Sequence, residues 1–142
     1  FGHGDGAANS ALWAMYAGVG VTLGHNFPFY LHFRGGKGIA CLAGILSTMD
    51  LRIMVSCMLV FGLAVGITRY VSLGSILVSL VFLAELIFFG SQGSYQVTEA
   101  CFPEFCILGA FLTFMAIWRH RANIKRLLSG TENKLGAKKK TS

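Results

Sequence analysis

The stretch RIMVSCMLVFGLAVGITRYVSLGSILVSLVFLAELIFF, residues 52 to 89, decides the fold. Arg69 and Tyr70 divide it into two apolar runs, 53–68 and 71–89. Its only other charged residues are Arg52 at the start and Glu85 inside the second run. Each run approaches the roughly 20 apolar residues that cross a bilayer. Two such runs joined by a short polar turn read as a pair of membrane helices.

The surrounding sequence agrees. Hydrophobic residues make up 54% of the 142 and charged residues 13%, and mean hydropathy is +0.63. A soluble domain carries about 25% charged residues. A core this small cannot hide so much apolar surface, so lipid is the expected solvent. Residues 6–33 carry no formal charge and are long enough to span; 39–49 is apolar but short; 105–118 is apolar and ends at a basic cluster. Tilt, snorkelling arginines and burial in a bundle accommodate the shorter runs. The expected fold is an all-α polytopic membrane protein with about five transmembrane or half-spanning helices. It forms a single integral membrane domain over 1–142, ending in a basic cytoplasmic tail at 133–142.

Charge placement orients these helices. With 33–38 in the cytoplasm, eleven of the twelve Lys and Arg are cytoplasmic and only Arg52 is outside. The outer loop carries Glu99 and Glu104 and no cation. That asymmetry is what the positive-inside rule expects. It gathers FRGGKG, TRYVSLGS and RHRANIKR at one cytoplasmic mouth, in a multi-pass protein of the cell (inner) membrane. The tail GAKKKTS reads as facing anionic lipid. The bilayer is an expected partner and nucleic acid is not.

FRGGKG, residues 33–38, resembles a phosphate cradle in composition. Gly35, Gly36 and Gly38 have no side chain to block an approaching ligand, and their N–H groups can form an anion nest. Arg34 and Lys37 add charge, and a helix starting near Lys37 would direct its positive end to the same anion. A tight membrane turn with two topology-setting cations fits equally well. The GxxxxGK[ST] spacing of a Walker loop is absent.

Upstream, GHNFPFYLHF (24–33) sets His25 and Asn26 at the end of the first helix, which Pro28 should break. In TRYVSLGS (68–75), Ser72 is a candidate helix cap and Ser75 follows at i+3. In RHRANIKRLLSGTE (119–132), His120 and Asn123 share a helical face, with Arg119 and Arg126 to either side. A stop-transfer cluster needs only Lys and Arg, so His120, Asn123 and the following GTE exceed it. No histidine spacing suits a metal, no nucleophile elbow or HxxxxD box appears, and no cofactor is expected. The four cysteines lack CxxC spacing; Cys41 and Cys57 read as small hydrophobes, and Cys101 with Cys106 flanks a turn. Glu85, inside an apolar run, is an intramembrane ionisable residue that needs a partner.

GHNFPFYLHFRGGKGIA, then RYVSLGS, then HRANIKRLLSGTE resemble, in that order, the bacterial acyl-phosphate:glycerol-3-phosphate acyltransferases called PlsY. The resemblance implies an integral membrane enzyme that moves a fatty acyl group from acyl phosphate to the 1-hydroxyl of glycerol 3-phosphate, giving lysophosphatidic acid for phospholipid synthesis. It implies that Lys37 with Gly35, Gly36 and Gly38 binds substrate phosphate, and that Arg34 and Arg126 help neutralise it. It implies that Ser75, His120 and Asn123 are polar catalytic-site positions, with the phosphate of glycerol 3-phosphate helping to deprotonate the attacking hydroxyl. The family's first motif, a Ser-Gly-Asn-rich loop with an Arg, has no counterpart in 1–26, and the family has about seven helices. The chain is therefore expected to lack part of its N-terminus, consistent with its start at Phe1. The rival reading is a small transporter or channel subunit with an anion-binding mouth, for which polar groups belong near the bilayer midplane.

Overall fold

The computed structural model describes residues 8–28 and 36–137, with the backbone alone at 46–49. Every regular element among them is helical: α1 (Ser10–Asn26), α2 (Ile39–Met49), α3 (Leu51–Thr68), α4 (Val71–Ser91), α5 (Phe102–Arg119) and α6 (Arg121–Leu128). Helices α3, α4 and α5 are long and apolar enough to cross a membrane. At 1.5 Å per residue, the 21 residues of α4 extend ~32 Å, about the thickness of a hydrocarbon core. Helix α2, with 11 residues, is the short one the sequence anticipated.

Helix ends follow local chemistry. Asp50 caps α3, its carboxylate accepting the Arg52 N–H at 2.8 Å. Arg69 ends the same helix in the left-handed conformation, φ 63°. That turn starts α4 at Val71, so the cap is Tyr70 and not Ser72. Ser72 then lies inside the first turn, and its hydroxyl is free to bond elsewhere. Helix α2 begins at Ile39, two residues later than expected, because Gly38 at φ 78° is not helical.

The core runs along α4 and α5, where Phe82, Leu86 and Phe105 are fully buried, with Met15 of α1 and Ile53 of α3. Helix α3 packs mainly on α4, and α4 also packs on α5; α1 lies against α2 and α5. The outward row Val55, Met58, Leu59, Leu63 and Ile67 on α3 is exposed, as a lipid-facing surface would be. All four cysteines are free thiols; Cys101 caps α5, and Cys106 lies inside that helix. Glu85 finds its partner across the α3–α4 interface, accepting from Ser56 Oγ at 2.7 Å.

The two ends of the bundle differ. One gathers Gly36–Gly38, the Arg69–Ser72 turn and the His120–Glu132 segment. The other holds Asp50, Arg52 and the 92–101 connection, whose Gln96 and Thr98 bond to Ala11 and Asn9 at the start of α1.

Candidate active site

The site is assembled where α1 stops and α2 starts. The N–H of Gly36 donates to the His25 carbonyl at 3.2 Å, tying the loop to the C-terminus of α1. A Cβ on Gly36 would lie 2.0 Å from His25 Nε2, so only glycine lets the imidazole lie against the loop. The Gly36 carbonyl accepts twice from Arg119 of α5, from Nε at 3.0 Å and Nη2 at 2.8 Å. Arg119 also lies 5.5 Å above the Phe27 ring. The loop is therefore pinned on one side by α1 and on the other by α5. Behind Gly38 lie Thr22 and Asn26, both buried, with Thr22 Oγ1 and both Asn26 amide atoms lacking hydrogen-bond partners among the described residues.

Lys37 reaches across to α6, where its ammonium donates to Asn123 Oδ1 at 2.7 Å. Asn123 Nδ2 donates to Glu132 Oε1 at 2.8 Å, and Ser72 Oγ donates to the same oxygen at 3.0 Å. Glu132 Oε2 accepts from Arg126 Nε at 2.8 Å. Glu132 arrives there through the close of α6: Gly130 N–H bonds to Leu127 O and Thr131 N–H to Arg126 O, a Schellman closure that turns the chain back. Burial alone would raise the Glu132 pKa, but bonds from Asn123, Arg126 and Ser72 outweigh it and hold the carboxyl below its ordinary value. Lys37 is lowered, chiefly by burial, with Arg126 and Arg119 adding and Glu132 opposing.

His120 does not lie within one continuous helix with Asn123. It closes α5 and opens α6, its N–H shared among the last carbonyls of α5. Its ring is buried, 2% exposed, and Nδ1 lies 2.7 Å from the Ala116 carbonyl. A carbonyl can only accept, so this pairing assigns the proton to Nδ1 and leaves Nε2 as the acceptor of the neutral ring. Burial lowers the His120 pKa, the Ala116 bond opposes, and nearby Lys37 adds to the lowering.

His25, Lys37, Gly38, Ser72, Ser75 and His120 line one cavity of about 340 Å³. Ser75 keeps its own proton on the Val71 carbonyl at 3.0 Å, which leaves its oxygen able to accept. Ile39, Ala40 and Phe61 belong both to this cavity and to an apolar groove of about 460 Å³ that continues past Ala43, Cys57 and Met58.

The structure thus brings Gly36, Lys37, Gly38, Ser75, His120, Asn123 and Arg126 to one end of the bundle. Arg34 and Gly35 lie outside the described residues. Arg126 is engaged by Glu132. Among the described residues, no group of His, Cys, Asp or Glu could hold a metal ion. Sequence reasoning missed Glu132 as the junction of the network, Arg119 as the loop's anchor, His25 as a wall and the apolar groove. Glu132 had a signal in the polar GTE that follows the basic helix, and His25 and Arg119 stand in stretches already singled out; the groove had none.

Comparison with known proteins points to one family. A family model described as glycerol-3-phosphate acyltransferase matches residues 5–130. A glycerol-3-phosphate acyltransferase of Thermoanaerobacter sp. (strain X514) is 42% identical over 126 residues, covering 88% of this chain and 58% of the relative. One from Halalkalibacterium halodurans is 39% identical over 133 residues, covering 92% and 60%. The chain thus spans about three fifths of the length of these relatives. The crystal structure of PlsY, an integral membrane glycerol 3-phosphate acyltransferase in its glycerol 3-phosphate form, superposes with a TM-score of 0.71 at 29% identity, covering 86% of this chain and 56% of that one. By sequence and by fold, the chain belongs to the glycerol-3-phosphate acyltransferase (PlsY) family.

Proposed function

We propose that this chain carries the phosphate-binding and acyl-binding part of an enzyme that transfers a fatty acyl group from acyl phosphate to the 1-hydroxyl of glycerol 3-phosphate, releasing lysophosphatidic acid and inorganic phosphate. One observation carries the reading. A cavity holding Lys37, Ser75 and His120 shares a wall with an apolar groove, so a single amphipathic donor can lay its phosphate in one and its chain in the other. The cytoplasmic face of the inner membrane is the proposed setting, from the distribution of cations.

Chemically, the glycerol oxygen attacks the acyl carbonyl carbon. The carbonyl carbon–oxygen bond to phosphate breaks, and phosphate departs with the electron pair. The hydroxyl proton passes to the phosphate of glycerol 3-phosphate. An acyl phosphate already has a good leaving group, so the protein's work is to bring two anions together and offset their repulsion. Lys37 does this with its ammonium, aided by the positive N-terminal end of α2. Lys37, Gly36 and Gly38, with Arg34 and Gly35 upstream, hold phosphate; Arg126 adds charge. His120 Nε2 and the Ser75 oxygen are acceptors that contact and align the substrate, and Asn123 orients Lys37.

The test uses membranes containing the full-length gene product, supplied with labelled glycerol 3-phosphate and either palmitoyl phosphate or palmitoyl-CoA. Labelled lysophosphatidic acid from palmitoyl phosphate alone is the expected result. Product from palmitoyl-CoA alone overturns the donor; product from neither, with the protein folded and inserted, overturns the activity.

A further inference from the structure

Among the described residues, Arg69 is the only non-glycine with positive φ. A helix C-terminus that needs the left-handed conformation ordinarily takes Gly or Asn there. The side chain indicates why arginine stands in this place. Its Nε and Nη2 both donate to the Leu135 carbonyl, at 3.0 and 2.6 Å. The Leu135 N–H returns a bond to the Arg69 carbonyl at 2.7 Å. On either side, the Lys134 ammonium lies 5.6 Å from the Tyr70 ring, and Gly136 leaves room for Nη2, which a Cβ there would approach to 2.9 Å. Residues 131–137 thus form a strap, held at the α3–α4 turn, that begins at the Schellman closure of α6.

The strap carries Glu132. An ionised carboxylate only accepts, so the Asn123 atom facing it must be the amide nitrogen. That leaves Oδ1 for the Lys37 ammonium, the arrangement observed. Without Glu132 the amide can turn its NH₂ toward Lys37, where donor meets donor. We propose that Arg69 is a positioning residue: it latches the strap so that Glu132 fixes the Asn123 amide toward Lys37. It acts from outside the cavity, which it does not line. Only the kinetic part of its test rests on the acyltransferase reading.

The experiment compares the full-length protein with Arg69→Gly, Arg69→Lys and Leu135→Pro. Glycine accepts the left-handed turn, so Arg69→Gly removes the guanidinium without adding strain, and proline removes the Leu135 N–H while keeping Arg69. Hydrogen exchange of the Leu135 amide is measured beside amides of the α4 core. In Arg69→Gly that amide should exchange at least about ten-fold faster while the α4 core is unchanged, with Arg69→Lys intermediate. The KM for glycerol 3-phosphate should rise about ten-fold in Arg69→Gly and in Leu135→Pro, with kcat within about two-fold. Slow exchange at Leu135 in Arg69→Gly overturns the latch. Fast exchange with an unchanged KM overturns the relay to Lys37. A wild-type protein without acyltransferase activity fails the functional proposal alone, because the exchange measurement still decides the latch.

Discussion

The two ends of this bundle treat polar groups differently. At the site end, Lys37, Ser72, Asn123, Arg126 and Glu132 form a connected network whose members come from four parts of the chain. At the opposite end, the Arg52–Asp50 pair is a neighbour contact on the surface, and Arg52 lies 4.5 Å over the Phe89 ring. The Tyr95 hydroxyl there is buried without a partner among the described residues, and its ring packs on Phe105 at 5.5 Å. One end spends polar groups on orienting an ammonium; the other uses rings and a helix cap to hold helices together. Substitutions at the first should change chemistry with little loss of protein, and substitutions at the second should do the reverse.

Lys37→Ala gives the sharpest test of that contrast. In the full-length protein it should reduce the proposed acyl transfer by at least about 100-fold, since the ammonium proposed to hold substrate phosphate is lost. The amount of folded protein should be unchanged, as read by yield and thermal midpoint. Phe105→Ala should behave oppositely. Deleting a fully buried ring costs about 3–5 kcal/mol, so the midpoint falls while turnover per folded molecule holds.

Gly36→Ala should have an intermediate effect. The new Cβ displaces the His25 imidazole, the mobile end of a side chain, so the fold survives. The KM for glycerol 3-phosphate should rise roughly ten-fold with kcat little changed, an outcome that steady-state kinetics separates from a folding defect.

The pH profile places the site's ionisations. His120 is lowered by burial, so its neutral form, and the stability it contributes, persists above the ordinary value near 6.5 and is lost as pH falls toward its lower folded value. Glu132 is also lowered, so its contribution is present above the ordinary carboxylate range and disappears only as pH falls through its lower folded value. Lys37 is lowered, so its charge is lost at a pH below the ordinary lysine value. The kcat/KM profile should therefore hold to below about 6.5 on the acid side and fall before about 10.4 on the alkaline side. Lys37→Arg should move the alkaline limb upward. The smallest effect belongs to Arg52→Ala, whose exposed guanidinium pairs only with its neighbour Asp50, with thermal midpoint and activity little changed.

Much of this organisation was legible beforehand because it rests on local chemistry. The apolar runs on either side of Arg69 become α3 and α4, and Pro28 follows the end of α1. Gly38 takes a positive φ, and Lys37, Ser75, His120 and Asn123 gather at one end. Where the reading slipped, a neighbour in space had intervened. Ser72 fits a cap by spacing, but the turn at Arg69 sets the cap two residues earlier, at Tyr70, and Glu132 takes the hydroxyl. Spacing sets His120 and Asn123 on one helical face, yet the helix breaks at His120, whose ring bonds back to Ala116. The apolar groove had no signal because its walls come from α2, α3 and α4, and each residue alone is an ordinary membrane side chain.

By itself, the sequence determined the solvent, the helical class and the chemistry of the loop. These follow from composition, run length and residue type, which act over a few neighbouring positions. The tertiary structure alone decided which atoms meet: Arg119 on the Gly36 carbonyl, Glu132 between Ser72 and Asn123, Arg69 on Leu135. Those partners lie far apart along the chain. A hydrogen bond depends on a separation of about 3 Å, a distance that packing sets and residue spacing does not.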